Sequence, residues 1–148
     1  LGSKNYKPRA SFHLGQWQSA ALLGFKTRYF TTSHTPHAVE KSVIERFFKE
    51  NIDSYLENIS FRFRNYKQFT FISLSNHLQL KSGNRNIAKP DVVYLQPFNR
   101  GKNYIDKKLK VCEQKENIRY LCVQSLDLCD KKEQDKVLDW MGSLIGID

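Results

Sequence analysis

The chain has 148 residues, 40% of them hydrophobic, a size and composition that suit one globular domain and exclude a disordered segment. Its net charge is +9. Cys112, Cys122 and Cys129 are an odd number at wide, irregular spacing, which excludes a disulfide framework and points to an intracellular reducing compartment such as the mitochondrial matrix or nucleus. No apolar run approaches the roughly 18 residues of a transmembrane helix, and with all four histidines upstream of the cysteines there is no zinc-binding spacing.

Leu1-Gly2-Ser3 resembles the remnant of a cleaved expression tag, so the expected parent is a longer protein. Residues 4–34 form a basic arm without acidic residues, in which Trp17, Ala21 and Phe25 fall at helical spacing. Such acid-poor stretches resemble mitochondrial presequences, and an arm packed on the domain is the alternative. A single α/β domain is then expected over residues 35–148.

Thr35-Pro36 is a helix-start signal. From there Val39, Val43 and Phe47 form one apolar row and Ile44, Phe48, Ile52 and Leu56 the next, predicting one amphipathic helix to about Asn58. The period then switches to two. Ile59, Phe61 and Phe63 alternate with Ser60, Arg62 and Arg64, and Phe69–Leu74 is a second apolar run, so both are expected to be strands, with Phe61 and Phe63 inward. Leu78 and Leu80 extend the sheet, and Ser82-Gly83-Asn84 is a turn. Residues 91–95 form a strand after Pro90, Asn103 caps a helix running to about Asn117, and residues 118–123 form a buried strand, which together predict a parallel pair with a helical crossover. Asp130 with Glu133 caps a last helix that ends at Gly146. The expected fold is therefore α/β, a mixed central sheet flanked by helices in the approximate order αβββαβα.

With its Pro90-Asp91 pair, this layout resembles the restriction-endonuclease-like (PD-(D/E)xK) superfamily. The resemblance implies a divalent-metal-dependent nuclease, or a non-catalytic member of that fold. A nuclease of this kind would place Glu45 on the first helix, Asp91 at the Pro-Asp, and Asp106 with Lys108 as the acid-x-Lys. Asp91 and Asp106 would hold Mg²⁺ or Mn²⁺, because such ions want clustered hard oxygen ligands; otherwise no cofactor is expected. Asp106 lies at the start of the expected helix, and residues 58–90 contain no carboxylate.

The charge is unevenly distributed. Residues 61–110 carry eleven basic residues against Asp91 and Asp106 alone, whereas a solvated face normally mixes signs. Basic residues neutralise phosphates and interleaved aromatics stack bases. The preferred expectation is therefore a nucleic-acid-binding domain, for DNA or RNA, that contacts phosphates through Arg62, Arg64, Lys81, Arg85, Arg100 and Lys102. A mitochondrial assembly or scaffold domain that binds a protein is the further alternative. No Gly-rich phosphate loop and no Gly-x-Ser-x-Gly elbow occurs, which excludes P-loop NTPases and α/β-hydrolases.

Overall fold

A computed structural model describes residues 9–88 and 91–146; Lys89 and Pro90 of the basic block and of the Pro-Asp pair, and Leu1-Gly2-Ser3, lie outside them. The chain mixes helix and strand and divides into two compact units, residues 1–87 and 88–148. No helix among the described residues is long and apolar enough to cross a membrane.

The first unit is helical: α1 (Phe12–Leu22), α2 (Lys41–Glu50), α3 (Ile52–Ile59) and α4 (Phe71–Lys81). Ser11 caps α1 by accepting from the Leu14 amide at 3.1 Å. Gly24, at φ +89°, ends it with the amides of Gly24 and Phe25 turned back onto the Ala21 and Ala20 carbonyls, the paired bonds of a Schellman motif. Gly15 lets α1 approach the start of α4, since a β-carbon there would come within 2.9 Å of Thr70 Cγ2.

The packed face between α1 and α4 is largely polar. Gln16, Ser19, Ser73 and His77 are fully buried beside Ala20 and Leu74. Ser19 Oγ accepts from the Thr70 amide at 3.0 Å, and Ser73 Oγ donates to the Gln16 carbonyl at 3.3 Å. Gln16 clamps the backbone of Thr32, accepting its amide at 2.7 Å and donating to its carbonyl at 3.4 Å. His77 Nε2 accepts the Phe30 amide at 3.0 Å, while Nδ1 donates to the Ser73 carbonyl at 2.7 Å. The obligate Phe30 N–H fixes that tautomer. The segment around Phe30 and Thr32 is thus bonded into the helical unit through buried side chains.

Three sequence expectations fail here. The long helix from Thr35 is two helices, beginning at Lys41 and broken at Asn51. The Asn51 side chain donates to the Phe47 carbonyl at 2.9 Å, offering the backbone a local alternative to the helical ladder. The break lets Phe48 meet Tyr55, Phe69 and Phe71 at ring-centroid distances of 4.9, 6.2 and 5.7 Å. Residues 59–64 and 69–74 are not strands: residues 60–70 form a loop and α4 begins at Phe71, carrying Leu78 and Leu80. Side chains do the work a neighbouring strand would have done. Asn58 Oδ1 accepts the Phe69 amide at 2.8 Å, Gln68 Nε2 donates to the Asn58 carbonyl at 2.8 Å, and Gln68 Oε1 accepts the Asn65 amide at 2.7 Å. The sheet is accordingly not the mixed, many-stranded one expected. Ser82-Gly83-Asn84 is the C-terminal cap of α4, with Gly83 at φ +93°.

The second unit holds the expected strand–helix–strand. β1 (Val92–Leu95) and β2 (Tyr120–Val123) pair in parallel, Val92 opposite Tyr120 and Leu95 opposite Val123, with α5 (Tyr104–Gln114) as the crossover. A single 3₁₀ turn (Leu126–Leu128) precedes α6 (Lys131–Ile145). Leu95, Ile105, Leu109 and Val137 form the core, with Leu121, Val123 and Trp140 packed against it. Burying each of these aliphatic side chains stabilises the unit by about 1.5–3 kcal/mol. The expected caps are present: Asp130 Oδ1 accepts the Glu133 amide at 2.8 Å, and Gly146 takes the left-handed conformation at φ +68°. Asn103 precedes α5 in that conformation too, and its side chain makes no cap bond. β2 is half-buried rather than buried, with Tyr120 exposed.

Candidate nucleic-acid interface

Loop 60–70 of the first unit carries Arg62, Phe63, Arg64 and Lys67, all exposed. Phe63 is 75% exposed, the highest value among the large apolar side chains of the described residues. Alternation assigned it to the core, but with no strand pairing to enforce the alternation it projects into solvent instead. The Arg62 guanidinium lies over its ring, 5.3 Å from the centroid. Arg64 lines a recess of about 240 Å³ together with Asn58, Gln68, Phe69 and Thr70. Burial of the loop's neighbours and the Asn58–Gln68 bonds hold this segment in place without enclosing its charged side chains.

Lys81 and Arg85 sit at the end of α4 and bond backbone carbonyls at the ends of α1 and α4. Lys81 Nζ donates to the Leu23 carbonyl at 3.3 Å, and Arg85 Nη1 to the Leu80 carbonyl at 2.6 Å. Cations there also suit the negative end of the helix dipole, so these two residues have a structural task besides any contact with a ligand.

In the second unit the basic residues gather where β1 runs into α5. Arg100 and Lys102 stand on the connecting loop, and Lys107, Lys108 and Lys110 on the helix. Tyr104 holds two cations on its ring, Arg100 at 5.6 Å and Lys108 at 5.7 Å from the centroid, and its hydroxyl accepts the Gln96 amide at 3.2 Å. Tyr94, bonded through its hydroxyl to Gln124, has its ionisation pushed above the usual phenol range. Desolvation is the main cause and nearby Cys122 and Tyr104 add to it, while Arg100 opposes. Ligands of parallel α/β units sit at this carboxyl end of the strands.

The three carboxylates implied by the nuclease resemblance each pair with a basic side chain of their own unit. Glu45 belongs to the first unit and pairs with Lys41 at 3.4 Å. Asp91 precedes β1 and pairs with Arg119 at 3.6 Å. Asp106 is in the first turn of α5, paired with Lys136. Asp91 and Asp106 stand at opposite ends of β1, whose four residues span about 13 Å. Among the described residues no three His, Cys, Asp or Glu side chains come close enough to hold a metal ion. Within the second unit Asp91 and Asp106 are thus not placed to share one Mg²⁺ or Mn²⁺ ion, whose ligands lie within 2.0–2.6 Å.

Comparison of the chain with protein-family models, with curated proteins and with solved structures finds no match.

Proposed function

We propose that the chain binds nucleic acid through basic surface that carries exposed aromatics. The observation that supports this most directly is the Arg62-Phe63-Arg64 projection: an apolar ring 75% exposed, with the Arg62 guanidinium over it and the exposed Arg64 next in sequence, in a stretch from 58 to 90 without a carboxylate. Water solvates an exposed phenyl ring poorly, whereas a base stacks on it, and the flanking cations meet the phosphates on either side. On the second unit Arg100 lies over Tyr104, a ring partly buried against the core, with the exposed Lys102 on the same loop.

The test is binding of labelled DNA and RNA at about 50 and 200 mM salt. Counterion release gives a slope near −0.7 per neutralised phosphate on single strands. If Arg62, Arg64 and Lys67 each meet one phosphate, the fourfold rise in salt weakens binding about 18-fold; Arg64→Ala lowers that to about sevenfold. Absence of binding at low salt refutes the proposal.

A protein-docking role is the second reading, and α6 favours it. Leu138, Leu144 and Ile145 are 51%, 63% and 71% exposed on the same helix that carries the core residue Val137. Sedimentation over a concentration series tests the simplest case, self-association, which Ile145→Glu is expected to abolish.

A further inference from the structure

We infer that the ligand of loop 60–70 is single-stranded, with one base stacked on Phe63; the inference rests on the nucleic-acid-binding reading above and names its substrate class.

Three observations point the same way. The first is shape. The loop runs from the end of α3 at Ile59 to the start of α4 at Phe71 without helix or strand, whereas major-groove recognition uses a helix or a two-stranded ribbon. From Arg62 to Lys67 it reaches at most about 17 Å, which matches a few nucleotides rather than a turn of duplex.

The second is the ring itself. Arg62 lies over Phe63 at 5.3 Å, and with the ring 75% exposed there is room for a base to stack. In a duplex the base faces are already stacked on one another, so this platform gains nothing there unless a base is unstacked, at a cost of a few kcal/mol. On a single strand the faces are available.

The third is the recess of about 240 Å³ that Arg64 lines with Asn58, Gln68 and Thr70. The Asn58 and Gln68 amides that line it are engaged with the loop backbone and hold its shape, which leaves the exposed Arg64 guanidinium as the charged group at its rim. An unpaired nucleobase presents acceptors that a guanidinium recognises, and in a duplex those edges are paired. Phe63 thus supplies stacking, Arg64 and Lys67 phosphate contact, and the recess a place for a neighbouring base.

The experiment measures fluorescence anisotropy of labelled single strands of about 12 nucleotides, both DNA and RNA, and of the matching duplexes. It uses the intact chain and the variants Phe63→Ala, Phe63→Trp and Arg64→Ala. Single strands are expected to bind more tightly than duplexes. Phe63→Ala should weaken single-strand binding about 5- to 150-fold, the range for loss of one stacked base, and leave duplex binding unchanged. Phe63→Trp should retain affinity, with its fluorescence quenched on binding. Because Phe63 is exposed, its truncation leaves the fold intact, which circular dichroism verifies. Duplex binding as tight as single-strand binding, or an unaffected Phe63→Ala, overturns the single-strand inference while the basic-surface reading stands. Failure of every probe to bind at low salt overturns both.

Discussion

His77→Leu isolates the polar interior of the helical unit. The side chain is fully buried, and its two ring nitrogens hold the Phe30 amide at 3.0 Å and the Ser73 carbonyl at 2.7 Å. Leucine has similar volume and neither nitrogen. The Phe30 N–H then has no partner, which costs about 1–3 kcal/mol, and the net value of the second bond adds about 1 kcal/mol. The Ser73 carbonyl, inside α4, keeps its helical amide, so it contributes only that smaller term. The ring's edge contact with Phe25, centroids 5.0 Å apart, is lost as well. The expected destabilisation is about 2–4 kcal/mol. With a urea m-value of about 1.5 kcal/mol/M the midpoint falls by about 1–3 M, read by circular dichroism. Ser73→Ala is the control: it removes a hydroxyl that donates to the Gln16 carbonyl, worth about 1 kcal/mol. The reasoning fails if His77→Leu leaves the midpoint in place, or if Ser73→Ala costs as much.

Leu95→Ala empties a fully buried position in the core of the second unit and is expected to cost about 2–5 kcal/mol in chemical denaturation. Asp130→Ala removes the cap on the Glu133 amide and should cost about 0.5–2 kcal/mol, with Asp130→Asn close to wild type. Tyr94 gives a signed pH effect. Its ionisation is raised above the usual value of 10.0, chiefly by desolvation, so the folded chain holds that proton more tightly than the unfolded one. Its contribution is complete below about pH 10 and is lost as pH rises through the folded value. The stability difference between wild type and Tyr94→Phe should therefore shrink on the alkaline side, and a difference that grows there contradicts the assignment.

The sequence by itself determined the second unit. Val92–Leu95, the helix from Tyr104, the strand at 120–123 and the capped helix from Lys131 were all legible, because in each the local signals agree with the final environment: strand and helix periods differ, Asp130 and Gly146 mark the ends, and the crossover forces a parallel pair. The basic stretch 61–110 was also countable without any structure.

Tertiary structure decided the first unit. Its α1–α4 face includes Gln16, Ser19, Ser73 and His77, residues that hydrophobic periodicity counts as surface, so the apolar run Phe69–Leu74 outweighed the short helical row Phe71, Leu74, Leu78 and read as a strand. Period two in 59–64 lacked the one thing that makes it a strand, a partner edge to accept its backbone bonds. Asn58 and Gln68, some ten residues apart, satisfied that backbone locally instead. The consequence is functional as well as architectural. Released from a ladder, Phe63 and its arginines stand together on one exposed loop, where alternation would have sent the ring inward and the charges outward.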